Sequence, residues 1–156
     1  MQLASDFEAE LRAALLDDVE RQLVGRRDNI VHRVVQRVHD VLREYADRYD
    51  YRAEPLLESL AQPQVSRGPR AVVVRVGWAH EAFPFFEFGT SDHTIEGNPV
   101  LSFVWEDRHD PPPWVAREFE REGNGFRVFL PEVEVAGLPE SRAIRDTLHW
   151  LRRELA

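Results

Sequence analysis

The hydrophobic period of the chain changes from helical to strand-like and back, and this change restricts the fold more than any other feature. Over residues 3–23 and again over 30–45, apolar side chains recur every three or four positions, as on one face of a helix. The residues between them, 25–29, form a turn or a kink. The pattern predicts one near-continuous N-terminal helix, bent or split at 25–29, with a capping-box start at Ser5 and Glu8.

The middle of the chain follows a period of two, which is typical of strands. Apolar residues alternate with others over 72–78, 101–105 and 126–135, and an aromatic run at 83–88 predicts a further strand. In the last segment the apolar face changes parity at Pro131, which predicts a bulge or an edge bend because proline has no amide hydrogen to donate. The links between strands are short, so we expect mostly antiparallel pairing.

Helical signals return around and after these strands. Short helices are predicted at 55–61 and 114–121, each at or just after a proline suited to a first turn, and a C-terminal helix from about residue 139. The expected fold is α+β: a long N-terminal helix, a mostly antiparallel four-stranded sheet and a C-terminal helix packed on the sheet. With 156 residues, the whole chain, 1–156, is expected to be a single domain.

Acidic residues outnumber basic ones, 28 to 20, which gives a formal net charge of −8. This balance argues against general coating of nucleic acid, because affinity for a duplex depends on basic contacts to phosphate. All 20 basic residues are arginine, a composition that a halophilic host and a GC-rich genome would each produce. No cysteine is present, which excludes disulfides and thiolate chemistry. The chain has no signal-peptide pattern and no apolar run long enough to span a membrane, so we expect a soluble protein.

Histidine and carboxylates cluster at two places, Glu87 with Asp92 and His93, and residues 106–110. A metal or hydrolase site would need such groups to converge around an open position. The chain has no HExxH motif, nucleophile elbow, phosphate-binding loop or dinucleotide fingerprint. We therefore interpret both clusters as solvated loops and predict no catalytic residue, no metal and no cofactor.

Consecutive aromatic residues at Phe85 and Phe86 cannot both face the core of a strand, because adjacent side chains point to opposite faces. Together with Trp114 they are the aromatic residues hardest to bury, so we expect one of the pair to contact a helix or another subunit. His32 and His39, seven residues apart in the N-terminal helical region, are interpreted as lying on an exposed helix face, because their neighbours are arginine and glutamine.

Residues 85–95, FFEFGTSDHTI, resemble the segment Y/F-x-E-F/Y-G-T-x-x-H-x-I of the HK97 gp10-like tail-completion family of tailed viruses. The order of elements is also similar, including a short helix with Leu-x-x-Ser-Leu at 56–60, and the similarity covers about residues 5–155. The family's H-P-G-x-x-x-x-P-F segment is an exception, because residues 136–139 retain only Gly137 of it. A proline-rich stretch, 110–123, also separates the last two strands.

The residue types in this segment are those of a structurally constrained loop. Gly89 can adopt a backbone conformation that is closed to residues with a Cβ. The hydroxyl groups of Thr90 and Ser91 can satisfy turn amides, and His93 can bridge the loop by a hydrogen bond. We therefore expect a positioning role for this loop and not a catalytic one.

The resemblance implies a structural virion protein and not an enzyme. Such proteins complete the tail by forming a homo-oligomeric ring, commonly six-fold, in the neck between head and tail. The implied partners are head-closure or adaptor proteins on one side and the tail terminator or tail-tube protein on the other. Genomic DNA passes through the lumen without specific binding, and no membrane is involved. The implied location is the virion neck, and the host cytoplasm during assembly. The acidic, lysine-free composition, and not the resemblance, suggests a halophilic archaeal host. The expected interface residues are Phe85, Phe86, Glu87, Gly89, Thr90, His93, Pro112 and Trp114.

Three alternatives remain open at this point. Another neck or minor head component, such as a head-closure or tail-terminator protein, would share the α+β plan. A small metal-dependent hydrolase would use Glu87, Asp92 and His93. A host regulator would bind a protein partner through the long N-terminal helix.

Overall fold

The structure, a computed structural model, describes the backbone of residues 2–156 and the side chains of residues 6–156. Its residues divide into two units. The first contains the chain up to Gly89 together with residues 139–156, and the second contains residues 90–138. Helices and antiparallel sheets both occur, so the α+β class predicted from the hydrophobic period is confirmed.

The N-terminal helix is long and bent where the sequence predicts it. Helix α1 (Gln2–Glu20) continues into a π-helical turn (Arg21–Gly25), and helix α2 (Ile30–Tyr49) follows after a short turn. Asn29 starts α2, because its side-chain oxygen accepts a hydrogen bond from the His32 amide at 2.7 Å. The predicted capping-box start is wrong, since the backbone is already helical at Gln2 and Ser5 lies inside α1.

The apolar core of the first unit forms where α2 meets three shorter segments. Helix α3 (Glu54–Glu58) has Pro55 in its first turn, as expected, and helix α4 (Phe83–Phe88) and helix α6 (Ala143–Glu154) complete the contact. Each large side chain that is fully buried in such a core contributes about 1.5–3 kcal/mol. The buried residues of this cluster are Val38, Leu42, Leu56, Phe83 and Ala143.

The prediction of a strand at 83–88 is wrong, because this segment is α4. Pro84 occupies the first turn of the helix, where its missing amide hydrogen leaves no bond unmade. Phe83 and Glu87, four residues apart, are both buried, whereas Phe85 and Phe88 are exposed, so burial follows a helical period. A short apolar run does not separate helix from strand by periodicity alone.

The prediction of a single four-stranded sheet is therefore also wrong, because the strands form two separate sheets. The first unit has a two-stranded antiparallel sheet of β1 (Gln64–Arg67) and β2 (Val72–Arg75). Strand β1 has only one large apolar residue, Val65, and gave no strand signal in the sequence.

The C-terminal helix begins at Ala143, later than expected, and packs mainly on α2 rather than on a sheet.

The second unit has a three-stranded antiparallel sheet in the order β3–β5–β4. Its strands are β3 (His93–Glu106), β4 (Arg121–Glu122) and β5 (Gly125–Val135). A 3₁₀ turn (Asp107–His109) and the one-turn helix α5 (Val115–Glu118) lie between β3 and β4.

The irregularity predicted at Pro131 is present, although most of the extra residues are on the partner strand. Glu96 pairs with Glu132 and Leu101 pairs with Leu130, so Pro131 alone lies opposite residues 97–100. On β5, Val128 is buried and Leu130 half-buried before the proline, whereas Val133 and Val135 are the half-buried residues after it. The change of inward face from even to odd positions therefore takes place at Pro131.

Candidate functional site

Glu87, the first of the two acidic residues in the segment 85–95, is a buried helix cap. The residue is only 5% exposed. One carboxylate oxygen accepts the Ile144 amide at 2.9 Å and the other accepts the Arg145 amide at 3.1 Å. Both amides belong to the first turn of α6, where backbone donors have no partner within the helix. The negative charge also interacts favourably with the positive end of the helix dipole.

The residues just before α6 offer little capping of their own, since only the Ser141 hydroxyl accepts an amide of the helix, from Ala143 at 3.4 Å. Arg142, directly before the helix, has a left-handed backbone conformation with φ of 58° and makes no side-chain capping bond. Two further bonds join α4 to the segment before α6: the Ser141 amide donates to the Phe86 carbonyl at 2.8 Å, and the Arg142 amide donates to the Glu87 carbonyl at 3.3 Å. The end of α4 and the start of α6 therefore satisfy each other's unpaired backbone groups.

Gly89 ends α4 in a conformation that other residues avoid. Its φ of 72° and ψ of 177° lie in a region that is essentially restricted to glycine. The predicted reason for a glycine at this position is therefore confirmed.

Thr90 and Asp92 bind the segment that precedes residue 139. The Thr90 amide donates to the Leu138 carbonyl at 2.8 Å, and the Leu138 amide donates to the Thr90 hydroxyl at 2.9 Å. The Gly137 amide donates to the Asp92 carboxylate at 2.7 Å. A Cβ on Gly137 would lie 2.0 Å from the Thr90 carbonyl oxygen, so the approach of these two segments requires glycine. The predicted satisfaction of turn amides by Thr90 is confirmed.

His93 bridges the same loop, as its position in the segment predicts. Its Nδ1 lies 3.0 Å from the Ser91 carbonyl oxygen. A carbonyl oxygen can only accept, so Nδ1 carries the proton in this bond.

The two adjacent phenylalanines of α4 have different environments. Phe86 packs edge-on against Tyr45 of α2, with ring centroids 5.8 Å apart, and against Tyr51 at 5.7 Å. Phe85 is 54% exposed. The expectation that one of the pair contacts a helix is met by Phe86, while Phe85 presents its ring to solvent.

Trp114 and Pro112, the other predicted interface residues, are both half-buried within the second unit. The Trp114 ring packs edge-on against Trp105 at 6.5 Å and against Phe119 at 6.1 Å. The Pro112 carbonyl accepts the Val115 amide at 2.9 Å and so begins α5. Both residues contribute to the internal packing of this unit as well as to its surface.

Neither carboxylate cluster forms a metal site in the part of the chain that the structure describes, where no group of three or more histidine or carboxylate side chains could hold an ion. Both oxygens of Glu87 accept backbone amides. In the second cluster Glu106 pairs with Arg108, and Asp107 pairs with Arg121.

The placement of His39 on an exposed face is wrong. His39 is buried, and the indole Nε1 of Trp78 donates to its Nε2 at 3.1 Å. Burial is the largest cause that lowers the pKa of His39 below 6.5, and the charge of Arg43 lowers it further, against the opposing effect of Asp40. The signal was present in the sequence, because His39 lies four residues after Val35 on the apolar side of the helix.

Two apolar surfaces were not singled out as sites in the sequence. Along α1 a stripe of four large side chains, which we call the α1 stripe, is exposed: Phe7, Leu11, Leu15 and Val19. A groove of about 390 Å³ opens between α2, α6 and β2. Helical spacing marked the stripe, and helical and strand spacing together marked the groove residues, but only the tertiary structure shows that neither surface is covered.

No known family model, curated protein or solved structure matches the chain. Among the helices of the described residues, none is long and apolar enough to cross a membrane.

Proposed function

We propose that this chain is a structural protein of the neck of a tailed virus, a tail-completion protein that joins the DNA-filled head to the tail. It forms a homo-oligomeric ring, six-fold by analogy with the family it resembles, and catalyses no reaction. Its neighbours are a head-closure or adaptor protein and a tail-terminator or tail-tube protein. It is located in the virion neck after assembly in the host cytoplasm, and its acidic, lysine-free composition favours a halophilic archaeal host.

The proposal depends mainly on the role of Glu87. Three residues of the motif that carries the resemblance have structural roles in this chain: Glu87 caps α6, Gly89 has a glycine-only conformation and Thr90 binds Leu138. Each of these positions serves the fold and leaves no free nucleophile or acid. Residues with these roles are what a protein needs when its task is to hold a shape and present surfaces.

The exposed apolar side chains favour an assembly role. Contiguous exposed apolar surface on a soluble protein usually marks an interaction site. Here Phe7 is 65% exposed and Phe88 is 69% exposed, in addition to Phe85. A ring contains two different contact patches on each subunit, and apolar surfaces at separate places suit that requirement.

The net charge of −8 is compatible with a channel for DNA. A lumen lined by carboxylates repels phosphate, so a duplex slides through it, whereas a basic lumen would bind the duplex.

Electron microscopy of lysates from a virus that lacks this gene tests the proposal. We expect DNA-filled heads beside detached, complete tails, and joined particles again when the gene is supplied in trans. Normal virions in the deletion lysate would overturn the structural role. Empty heads, or tails of uncontrolled length, would overturn the tail-completion role and indicate a head-closing or tail-terminating protein.

A further inference from the structure

We infer that the α1 stripe of one copy of this chain binds the apolar groove between α2, α6 and β2 of a second copy. The inference deepens the proposed function and rests on it only for the closure of these contacts into a ring. Four observations carry it: the orientation of α1, the geometry of its stripe, the lining of the groove and the charges of the two surfaces.

The chain holds α1 by the face opposite its stripe. Arg67 of β1 donates to the Ala13 carbonyl at 3.1 Å and forms ion pairs with Asp17 and Glu20. Successive residues of a helix are rotated by about 100°, so these contacts lie roughly opposite the stripe. The hairpin of β1 and β2 therefore fixes α1 with its apolar side turned away, where its own chain does not cover it.

The spacing of the stripe favours a crossing contact over a coiled coil. Phe7, Leu11, Leu15 and Val19 follow one another at intervals of four residues. Ridges with this spacing cross at about 50° when they interdigitate with the same kind of ridge on another helix. A parallel or antiparallel coiled coil between two α1 helices would instead need a period of about 3.5 residues. The stripe is therefore suited to a groove on another surface.

The groove provides such a surface. Its walls are aliphatic side chains of α2, β2 and α6, for example Val34, Val74 and Leu151. Leu148, on its rim, is 47% exposed. Thr147, in its lining, is only 1% exposed, and within the described residues its hydroxyl has no hydrogen-bond partner. The groove thus offers an apolar surface that the isolated chain leaves open.

The charges beside the two surfaces are of opposite sign. Helix α1 carries six acidic residues and a single arginine. The last turn of α6, next to the groove, carries exposed Arg152 and Arg153, and its one carboxylate, Glu154, is paired with Arg33 at 3.0 Å. This complementarity favours the approach of α1 from a second copy and orients it on the groove. In a ring, the stripe of each copy binds the groove of the next copy, so the contact is heterologous.

Cross-linking between copies tests the contact, because the chain has no cysteine of its own. One preparation carries Leu15→Cys and the other Leu148→Cys, and a short bis-maleimide is added to each alone and to the mixture. We expect the mixture to give cross-linked dimers at about tenfold or more above a mixture in which Ala9→Cys, off the stripe, replaces Leu15→Cys. Equal yields in the two mixtures, or dimers chiefly from Leu15→Cys alone, would overturn the inference.

Light scattering of the purified chain gives a second measurement. We expect self-association, and Leu15→Glu should weaken it by about tenfold or more because a charge would enter an apolar site. Ala9→Glu adds the same charge away from the stripe and should leave association unchanged. A chain that stays monomeric at its highest soluble concentration, or that associates equally well with Leu15→Glu, would overturn the inference and leave the groove to another partner.

The two proposals fail in distinguishable ways. If cross-linking fails but the deletion lysate contains detached tails, the neck function stands and this contact is wrong. If cross-linking succeeds but the deletion virus assembles normally, the contact stands and the neck function is wrong.

Discussion

The carboxylate of Glu87 accepts the backbone amide of Ile144 at 2.9 Å, across 57 positions of the chain. This bond caps α6 from a distant segment, because Arg142, directly before the helix, makes no side-chain capping bond. It also explains why an acidic residue is buried in an aromatic helix: both of its carboxylate oxygens accept backbone amides of α6.

Replacement of Glu87 should destabilise the first unit. Glu87→Ala leaves two amides of α6 without an acceptor, and we expect the free energy of unfolding to fall by about 1–3 kcal/mol. Glu87→Gln keeps one acceptor oxygen and should cost less. Denaturant unfolding measures both changes. Glu140→Gln, an exposed carboxylate near the same helix, is the control, and a loss for Glu87→Ala no larger than for this control would contradict the capping role.

Gly89→Ala should also be costly, because the φ of 72° and ψ of 177° disfavour any side chain. We expect a loss of about 1–3 kcal/mol in the free energy of unfolding. Gly77→Ala is a matched control, since a Cβ there would meet nothing within 4 Å and its φ is not positive. Similar effects at the two positions would show that the conformation of Gly89 is not required.

The stability of the first unit should depend on the protonation of His39. The pKa of His39 is lowered by burial, so the unfolded chain binds a proton at a higher pH than the folded chain does. The contribution of neutral His39 is therefore fully present above about pH 6.5 and is lost as the pH falls from there through the lower folded pKa. Protonation also removes the acceptor that the Trp78 indole uses.

Thermal unfolding between pH 5 and 8 tests this dependence. His39→Gln should flatten the slope below pH 6.5, whereas His32→Gln, an exposed histidine on the same helix, should leave it unchanged. An identical slope in wild type and His39→Gln would assign the pH dependence to other groups.

Thr147→Val should stabilise the chain. The threonine hydroxyl is buried without a hydrogen-bond partner among the described residues, and valine replaces it with a methyl group of similar size. We expect a gain of about 1 kcal/mol in the free energy of unfolding. Thr147→Ser, which keeps the hydroxyl and removes the methyl group, should lose stability. A loss for Thr147→Val would show that the hydroxyl has a partner in solution.

Alanine substitutions at Phe85 and Phe86 should have different effects, one on assembly and the other on stability. Phe86→Ala removes packing against Tyr45 and Tyr51 and should cost about 1–3 kcal/mol in the free energy of unfolding. Phe85→Ala changes an exposed ring and should stay within about 0.5 kcal/mol of wild type. If Phe85 is an interface residue, Phe85→Ala should nevertheless reduce the yield of joined particles in a complementation assay. Full complementation by Phe85→Ala would remove this residue from the interface.

Most of the local structure could be predicted from the sequence. The hydrophobic spacing predicted both halves of the bent N-terminal helix, and the parity change located the irregularity at Pro131. The requirement for glycine at position 89 and the bonding roles of Thr90 and His93 followed from residue chemistry. These features depend on a few neighbouring residues, so a local pattern contains the information that decides them.

The errors have a common physical cause. The aromatic run at 83–88 is compatible with both a helix and a strand, and the contacts of Phe83 and Phe86 with α2 decide for the helix. His39 is polar by residue type, but Trp78, 39 positions later, provides the donor that allows its burial.

The sequence by itself determined the α+β class, the helical and extended regions and the glycine positions, because these follow from the period of apolar residues and from backbone sterics. Only the tertiary structure decided that Glu87 caps α6, that the strands form two sheets and that the α1 stripe and the groove stay uncovered. Those outcomes depend on which distant segments meet, and the free energy of such contacts is a property of the packed chain and not of any local pattern.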